Sequence, residues 1–480
     1  MSRNKYSLFL VLLFLNFSVQ ARAEFIKLLD DNNATAQAKI DIIQQAKNEI
    51  RFEYFTVGSV KDEYTLQTFA LLRQAAKRGV KVKILLDGGN VRISRAVIEA
   101  LIETSENNLE FRLFNIINPF KPSSISQRDH TKAVNVDNKI LLTGDRNVSC
   151  QYISDCDVFQ NHFKSVDVLI GGKIVQQEGD IFDQLWGNAA FVQAPHLFEY
   201  AADKRFAPCY DGDCTQIEQR QRAVEKEIQA ASLTLDSSLK NSIFKADTHT
   251  DWLIDGFEHN NVQLLFDDPN RAVSATNRQM SDQLGKIIAE NVRPGSQLTI
   301  LSPYLIPTPE ILKFFQALLA HHVHIKIITN SLASTDNIFA QAGYSKYKLM
   351  LIAIGLEIWE YNGFDESYRS ALTSHAKCAV IDNRVGILGS YNIDNRSQQI
   401  NREMGIAVID NEAETTNLNR PTFPKKLLHV IEEFQSHSTL VGINGAPTAD
   451  VYKLESDKQK LGELHAVAFF VKLFGLEGLL

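Results

Sequence analysis

Asp129-His130-Thr131-Lys132-Ala133-Val134-Asn135-Val136-Asp137 returns later in the chain as Ser374-His375-Ala376-Lys377-Cys378-Ala379-Val380-Ile381-Asp382. Each Asp is followed at a fixed distance by a Gly (Gly144, Gly389) and then an Asn (Asn147, Asn392). The pattern H-x-K-x4-D-x6-G-x2-N is kept without a gap in both copies. A single H-x-K carries no information, whereas five matched polar or Gly positions in two places do. The apolar residues between the polar ones read as a strand. His and Lys, two apart, point from one face of that strand, and the Asp points from the other. Asp137 and Asp382 are therefore read as structural, and so are Gly144 and Gly389. A tight turn at Asp137-Asn138 and Asp382-Asn383 sends the chain back as a second strand. That strand returns Asn147 and Asn392 beside the His-Lys pairs.

The repetition extends outward. A strand at 50–55, a helix at 66–78 closed by Gly79, a strand at 80–86 and a strand near 109–114 precede the first motif. Strands at 298–301, 323–328 and 356–359, with a helix at 310–321, precede the second in the same order. The offset stays near 245 residues, so the chain holds two copies of one αβ unit and not a solenoid. Alternating strands and helices predict an α/β fold with helices on both sheet faces. The expected architecture is two homologous αβα lobes related by a pseudo-twofold axis, with one active site between them. The expected parts are a signal peptide (1–23), a first lobe (24–192), a connector (193–278) and a second lobe (279–480) with an apolar C-terminal segment.

The 480 residues are 44% hydrophobic and 22% charged, which excludes a disordered or low-complexity chain. The net charge is −7. The first 23 residues hold Arg3, Lys5 and Arg22 and no acid, and without them 47 bases face 57 acids. A surface of that sign repels a phosphate backbone, so no nucleic-acid partner is expected. Residues 8–17 are almost wholly apolar and lead to Ala21-Arg22-Ala23, the form of a secretory signal peptide. The run is shorter than the roughly 20 residues of a span, and an uncleaved N-terminal anchor is the alternative. Export to the periplasm or the medium is expected, with peripheral membrane association. Cys150, Cys156, Cys209 and Cys214 can pair in three ways, of which pairing within each close couple is the simplest. Cys378 reads as a buried apolar residue. His321, His322 and His324 have no carboxylate nearby in sequence and read as solvent-facing.

If the motifs face each other, two His flank a phosphate bound by Lys132, Lys377, Asn147, Asn392 and Ser390. One imidazole can attack phosphorus and the other can protonate the leaving alcohol. His130 is taken as nucleophile and His375 as acid, although near-equivalent copies leave the order open. Lys and Asn supply the charge stabilisation, so neither metal nor cofactor is called for. A catalytic His needs its other ring nitrogen held. Asp167 and Glu403, each opening a later strand, are the expected orienting carboxylates.

The doubled motif resembles that of the phospholipase D superfamily, and more narrowly its bacterial cardiolipin synthase C branch. Ser302-Pro303-Tyr304, Thr329-Asn330-Ser331-Leu332-Ala333-Ser334-Thr335-Asp336, Gly389-Ser390-Tyr391-Asn392 and Asn401-Arg402-Glu403-Met404-Gly405 carry the resemblance. Gly144-Asp145-Arg146-Asn147-Val148 fits with one departure, because Asp145 stands where the branch has Gly or Ser. The departure places a carboxylate close to the phosphate site. The resemblance implies head-group exchange or hydrolysis on glycerophospholipids through a covalent phosphohistidine, with water or a small alcohol as acceptor. It implies action at a membrane surface, and a monomer is expected. The alternatives are a nucleic-acid phosphodiesterase of the same superfamily and a non-catalytic lipid-binding protein. The C-terminal run from 467 to 480 is apolar on most of a helix circumference. It reads as an interfacial anchor, or else as a helix packed on the second lobe.

Overall fold

The computed structural model describes residues 24–117, 126–154, 156, 161–194, 215–270, 279–363, 371–411, 421–446, 463 and 467. The signal peptide, the Cys209/Cys214 couple and all of the apolar C-terminal run except residue 467 lie outside the described residues.

The first half runs β1 (Glu24–Leu29), α1 (Asn32–Gln45), β2 (Glu49–Tyr54), α2 (Glu63–Lys77), β3 (Lys81–Asp87), α3 (Arg95–Glu103) and β4 (Leu109–Phe114). The motif hairpin follows as β5 (Lys132–Val136) and β6 (Ile140–Gly144), then β7 (Asn161–Lys164), β8 (Asp167–Gly171), α4 (Lys173–Trp186) and β9 (Val192–Gln193). Next come α5 (Thr215–Lys240), β10 (Phe257–His259) and β11 (Val262–Phe266). The second half gives α6 (Gln279–Asn291), β12 (Gln297–Leu301), α7 (Pro309–Ala320), β13 (His324–Asn330), α8 (Ile338–Ala353), β14 (Glu357–Tyr361) and β15 (Ala371–Ser374). Its hairpin is β16 (Cys378–Ile381) and β17 (Val385–Gly389), followed by β18 (Met404–Ile409), α9 (Phe423–Ser436) and β19 (Ser438–Leu440).

Two mixed sheets result. The strand order β8-β6-β5-β2-β3-β4 in one matches β18-β17-β16-β12-β13-β14 in the other. In both, the motif strand lies antiparallel to a strand of a three-stranded parallel set. The two-lobed α/β architecture is thus present. The segment set apart as a connector belongs to both sheets: β10 closes an edge of the first and β11 an edge of the second. Its helix α5 packs on α2 and α3, and Ile228, Ala231 and Leu235 join the core of the first lobe. The change of lobe falls between β10 and β11.

Both motif hairpins turn through matched left-handed residues, Asp137-Asn138 (φ 56° and 51°) and Asp382-Asn383 (φ 49° and 58°). Asp and Asn tolerate that region, which suits the twist of a two-residue hairpin. The Asp carboxylates point away from the His side, as their strand face requires. Asp137 accepts from the backbone N–H of Lys47, Asn48 and Glu49, and Asp382 from that of Gln297. Gly389 is forced by contact, since a Cβ there would meet Gly405 Cα at 2.5 Å.

Among the described residues a small apolar cluster around Phe114, Phe182 and Trp186 accompanies three larger cores. One lies under α1, α2 and α3, and another under α6, α7 and α8. The third joins the sheets: Ile26, Leu28 and Val168 of the first pack with Val380 and Ile406 of the second and with Leu427 of α9. Burial of apolar side chains from both sheets in one core holds the lobes together. Among the described residues no helix is long and apolar enough to cross a membrane. Cys150 and Cys156 form a disulfide, and Cys378 is free and buried.

Candidate active site

Each motif His is pinned by the opposite lobe. The His130 N–H donates to Arg402 O (2.8 Å), and Arg402 N–H donates to Arg128 O (2.9 Å). The His375 N–H donates to Lys164 O (2.9 Å), at the end of a parallel pair formed by β15 and β7. The histidines therefore meet because each lobe extends a strand into the other. The two residues are 7% and 8% exposed and line one cavity of about 470 Å³.

The rings are held differently. His130 Nδ1 lies 2.9 Å from Glu403 Oε2. Glu403 also accepts from Ser390 and Ser397 Oγ and from Asn401 Nδ2. A π-helical turn, Arg396–Ile400, brings Ser397 into that set. His375 Nδ1 lies 3.1 Å from Lys377 Nζ and 3.5 Å from Asp145 Oδ1. Each ring also meets aromatic rings, His130 at Phe55 (4.8 Å) and His375 at Tyr152 and Phe163 (5.5 and 5.3 Å).

Asp167 does not reach either ring. Its Oδ1 accepts from the backbone N–H of Asp145 (3.0 Å) and Arg146 (3.2 Å), and it faces the Arg146 guanidinium. The expectation that it orients a His is corrected by sheet register. Gly144 pairs with Asp167, and Gly389 pairs with Gly405. Asp167 is thus the counterpart of Gly405, and the counterpart of Glu403 is Ser165. Asp167 instead fixes the loop that carries Asp145. Ser390 is corrected too. Its hydroxyl donates to Glu403 and accepts from Met404 N–H, and it is fully buried, so it is not part of the cavity wall.

Asn147 and Asn392 line the cavity beside the histidines. Their Oδ1 atoms have no partner among the described residues, while Asn147 Nδ2 donates to Tyr152 OH (3.0 Å). Lys132 and Lys377 are buried behind the wall, each donating to the carbonyl of its own His (2.5 Å). The two amines therefore sit as a matched pair of charges. Burial, then Lys132, Lys377 and Arg396, holds His130 well below its ordinary value. Burial and Lys377 do the same to His375. Both rings are neutral at pH 7. Burial, then Lys377, lowers Lys132, and burial lowers Lys377. Burial raises Glu403 and Asp145.

The remaining wall is part polar and mixed in charge, with Arg92, Arg396, Tyr304, Asp336, Asn337 and Asp394, and part apolar, with Val57, Ile306 and Phe339. Burial pushes Asp394 up to about 6. Tyr304 OH donates to the Asp336 carboxylate (3.1 Å). Phe55, Phe163 and Arg92 were not legible as site residues, because no motif contains them. Phe55 follows the C-terminal end of β2, the edge of a parallel set where α/β sites form. His321, His322 and His324 are exposed. No group of three or more His, Cys, Asp or Glu among the described residues is placed to hold a metal ion.

The family described as cardiolipin synthase, PLD-like domain, matches residues 40–186 and 287–421, taking in both motifs. The chain belongs to this phospholipase D-like family. Cardiolipin synthase C of Escherichia coli K12 is 27% identical over 72% of this chain and 73% of its own length. Cardiolipin synthase 2 of Bacillus anthracis is 22% identical over 86% and 69%. Phosphatidylserine synthase of Haemophilus influenzae Rd KW20 superposes with a TM-score of 0.62 at 14% identity, over 95% of this chain and 97% of its own. That likeness confirms the fold of the PLD-like chain over nearly its whole length.

Proposed function

We propose that the chain transfers the phosphatidyl group of a glycerophospholipid to an alcohol or to water through a phosphohistidine. The observation that carries this is the placement of His130 and His375, one from each lobe, in the wall of a single cavity with Lys132 and Lys377 behind them. The cardiolipin synthases among its relatives support the lipid substrate.

His130 is the nucleophile in this reading. Its Nδ1–H is held by Glu403, which leaves the Nε2 lone pair facing phosphorus. Attack forms the P–N bond and breaks the P–O bond to the head group, whose oxygen takes a proton from His375. A bound phosphodiester anion offsets the lysine charges that depress His375, so substrate binding itself favours the protonated acid. In the second step neutral His375 takes the proton of the acceptor, whose oxygen attacks phosphorus and breaks the P–N bond. The paired lysines meet the charge that develops on the phosphoryl oxygens, and the Nδ2 groups of Asn147 and Asn392 are the amide donors in the cavity wall that can join them. Tyr304, Asp336 and Asn337 offer hydrogen bonds to a hydroxylated acceptor.

The Cys150–Cys156 disulfide supports an oxidising compartment, hence export. We place the enzyme in the periplasm or the medium, peripherally associated with a membrane, as a monomer. The test is the purified enzyme on phosphatidylglycerol and phosphatidylethanolamine vesicles, with and without a primary alcohol. A new phosphatidyl alcohol, with phosphate label acid-labile on the protein and absent in His130→Ala, is the expected result. Cleavage of oligonucleotides without turnover of either lipid would instead favour the nuclease reading.

A further inference from the structure

We propose that Asp145 is the positioning carboxylate of His375, taken over from position 165 by an exchange with a hydroxyl between two strands. This rests on His375 taking part in the reaction proposed above.

Register gives the argument. Residue 402 accepts from the His130 N–H, and residue 403 supplies the carboxylate on that ring. Residue 164 accepts from the His375 N–H, so residue 165 holds the place of Glu403. It is Ser165, whose side chain is too short to serve the ring and whose hydroxyl interacts instead with the Asp145 carboxyl. On the adjacent strand, residue 390 follows Gly389 and residue 145 follows Gly144. In the second lobe that place holds Ser390, and in the first it holds Asp145. One lobe thus carries hydroxyl and carboxylate at 390 and 403, and the other carries carboxylate and hydroxyl at 145 and 165. Each lobe keeps one buried carboxylate beside the facing imidazole.

Chemistry requires the carboxylate. Neutral His375 can accept at Nδ1 from Lys377 Nζ, but protonated His375 cannot. The acid form must donate from Nδ1, and Asp145 Oδ1, 3.5 Å away, is the acceptor near it. That oxygen is buried, and although the Ser165 hydroxyl interacts with the carboxyl, its two oxygens have lone pairs left for the ring N–H. Its sister oxygen accepts from Val166 N–H (3.3 Å), and Asp167 clamps the backbone of Asp145. The carboxylate is therefore anchored on one side and open on the side of the ring.

The test compares the parent with Asp145→Ser and with the double variant Asp145→Ser/Ser165→Glu, which copies the arrangement of the second lobe. Phosphatidylglycerol vesicles and bis(4-nitrophenyl) phosphate serve as substrates, and His375 is titrated by NMR. Asp145→Ser should lower kcat on the lipid about 10²-fold. It should also lower the pKa of His375 and move the alkaline limb of the kcat profile to lower pH, because a stabilising negative charge is gone. The double variant should recover at least tenfold in kcat and restore the limb. A folded Asp145→Ser enzyme with unchanged kcat, limb and His375 pKa overturns the proposal. So does a folded double variant that recovers nothing. If the parent turns over neither substrate, the functional reading fails, and the NMR titration still decides whether Asp145 charges against His375.

Discussion

The two lobes pair the same strands in the same register, yet fill matched positions with different chemistry. Arg51 and Asn135 face each other across β2 and β5, whereas Thr299 and Val380 hold those places across β12 and β16. Glu53 and Ala133 correspond in the same way to Leu301 and Cys378. Glu53 binds the Arg402 guanidinium (3.3 Å), Arg51 binds Asp183 (2.6 Å), and Asn135 donates to Glu178 (2.6 Å). The first lobe thus carries a buried polar network where the second carries apolar packing. Around the histidines the difference is one of placement, a direct Glu403 bond on one ring and a looser Asp145 contact on the other. Backbone geometry is what the duplication preserved. The chemistry of each lobe then diverged wherever a neighbour could compensate.

The sharpest way to break the comparison is at the rings themselves. His130→Ala should cost about 10⁶-fold in turnover, the scale of losing a nucleophile. His375→Ala should cost about 10²- to 10⁴-fold on lipid, the scale of losing an acid. On a 4-nitrophenyl ester, whose leaving group departs without a proton, the His375→Ala loss should shrink to about tenfold. The reverse pattern would exchange the roles of the two residues. Next in size are the carboxylates. Glu403→Gln should lower kcat about 10³-fold, more than the Asp145 variants, because its bond to the ring is direct. Equal losses, measured on the same lipid, would mean that the two rings are held alike.

The buried network of the first lobe gives a smaller effect, read in stability. Burial raises Glu178 to about 7, above the roughly 4.3 of an unfolded Glu. A raised folded pKa stabilises fully below the unfolded value, and that contribution is lost as pH rises through about 7. Glu178→Gln should therefore gain about 2–3 kcal/mol relative to the parent between pH 5 and 8, read by urea unfolding. An unchanged difference across that range would remove Glu178 as the source. The smallest effect belongs to the hairpin turns. Asp137→Asn should cost about 1–2 kcal/mol and Asp382→Asn less, since one carboxylate accepts from three backbone N–H groups and the other from one. Turnover should hardly change in either, with melting temperature and kcat measured together.

Much of this was legible along the chain. The doubled motif determined two homologous α/β lobes, because a strand's period of two fixes which face His, Lys and Asp take. The Asp-Asn turns and the outward-facing Asp carboxylates followed from the same period. Glu403 was legible from its place at the start of a strand. Asp167 seemed equivalent on that ground, but the connection from β6 to β8 is longer than the one from β17 to β18. Only strand pairing shows that the count slips by two residues, to Ser165. Asp145 stood out in the sequence as a departure, and its partner did not, because His375 is 230 residues away and reaches it across the lobe interface. The sequence by itself determined the repeat, the polar residue types of the candidate site and the faces they occupy, since these depend on local periodicity. Tertiary structure alone decided which carboxylate lies beside which imidazole, and that Ser390 bonds Glu403 away from the cavity wall. Those contacts cross between strands and lobes, where register and not sequence spacing sets distance.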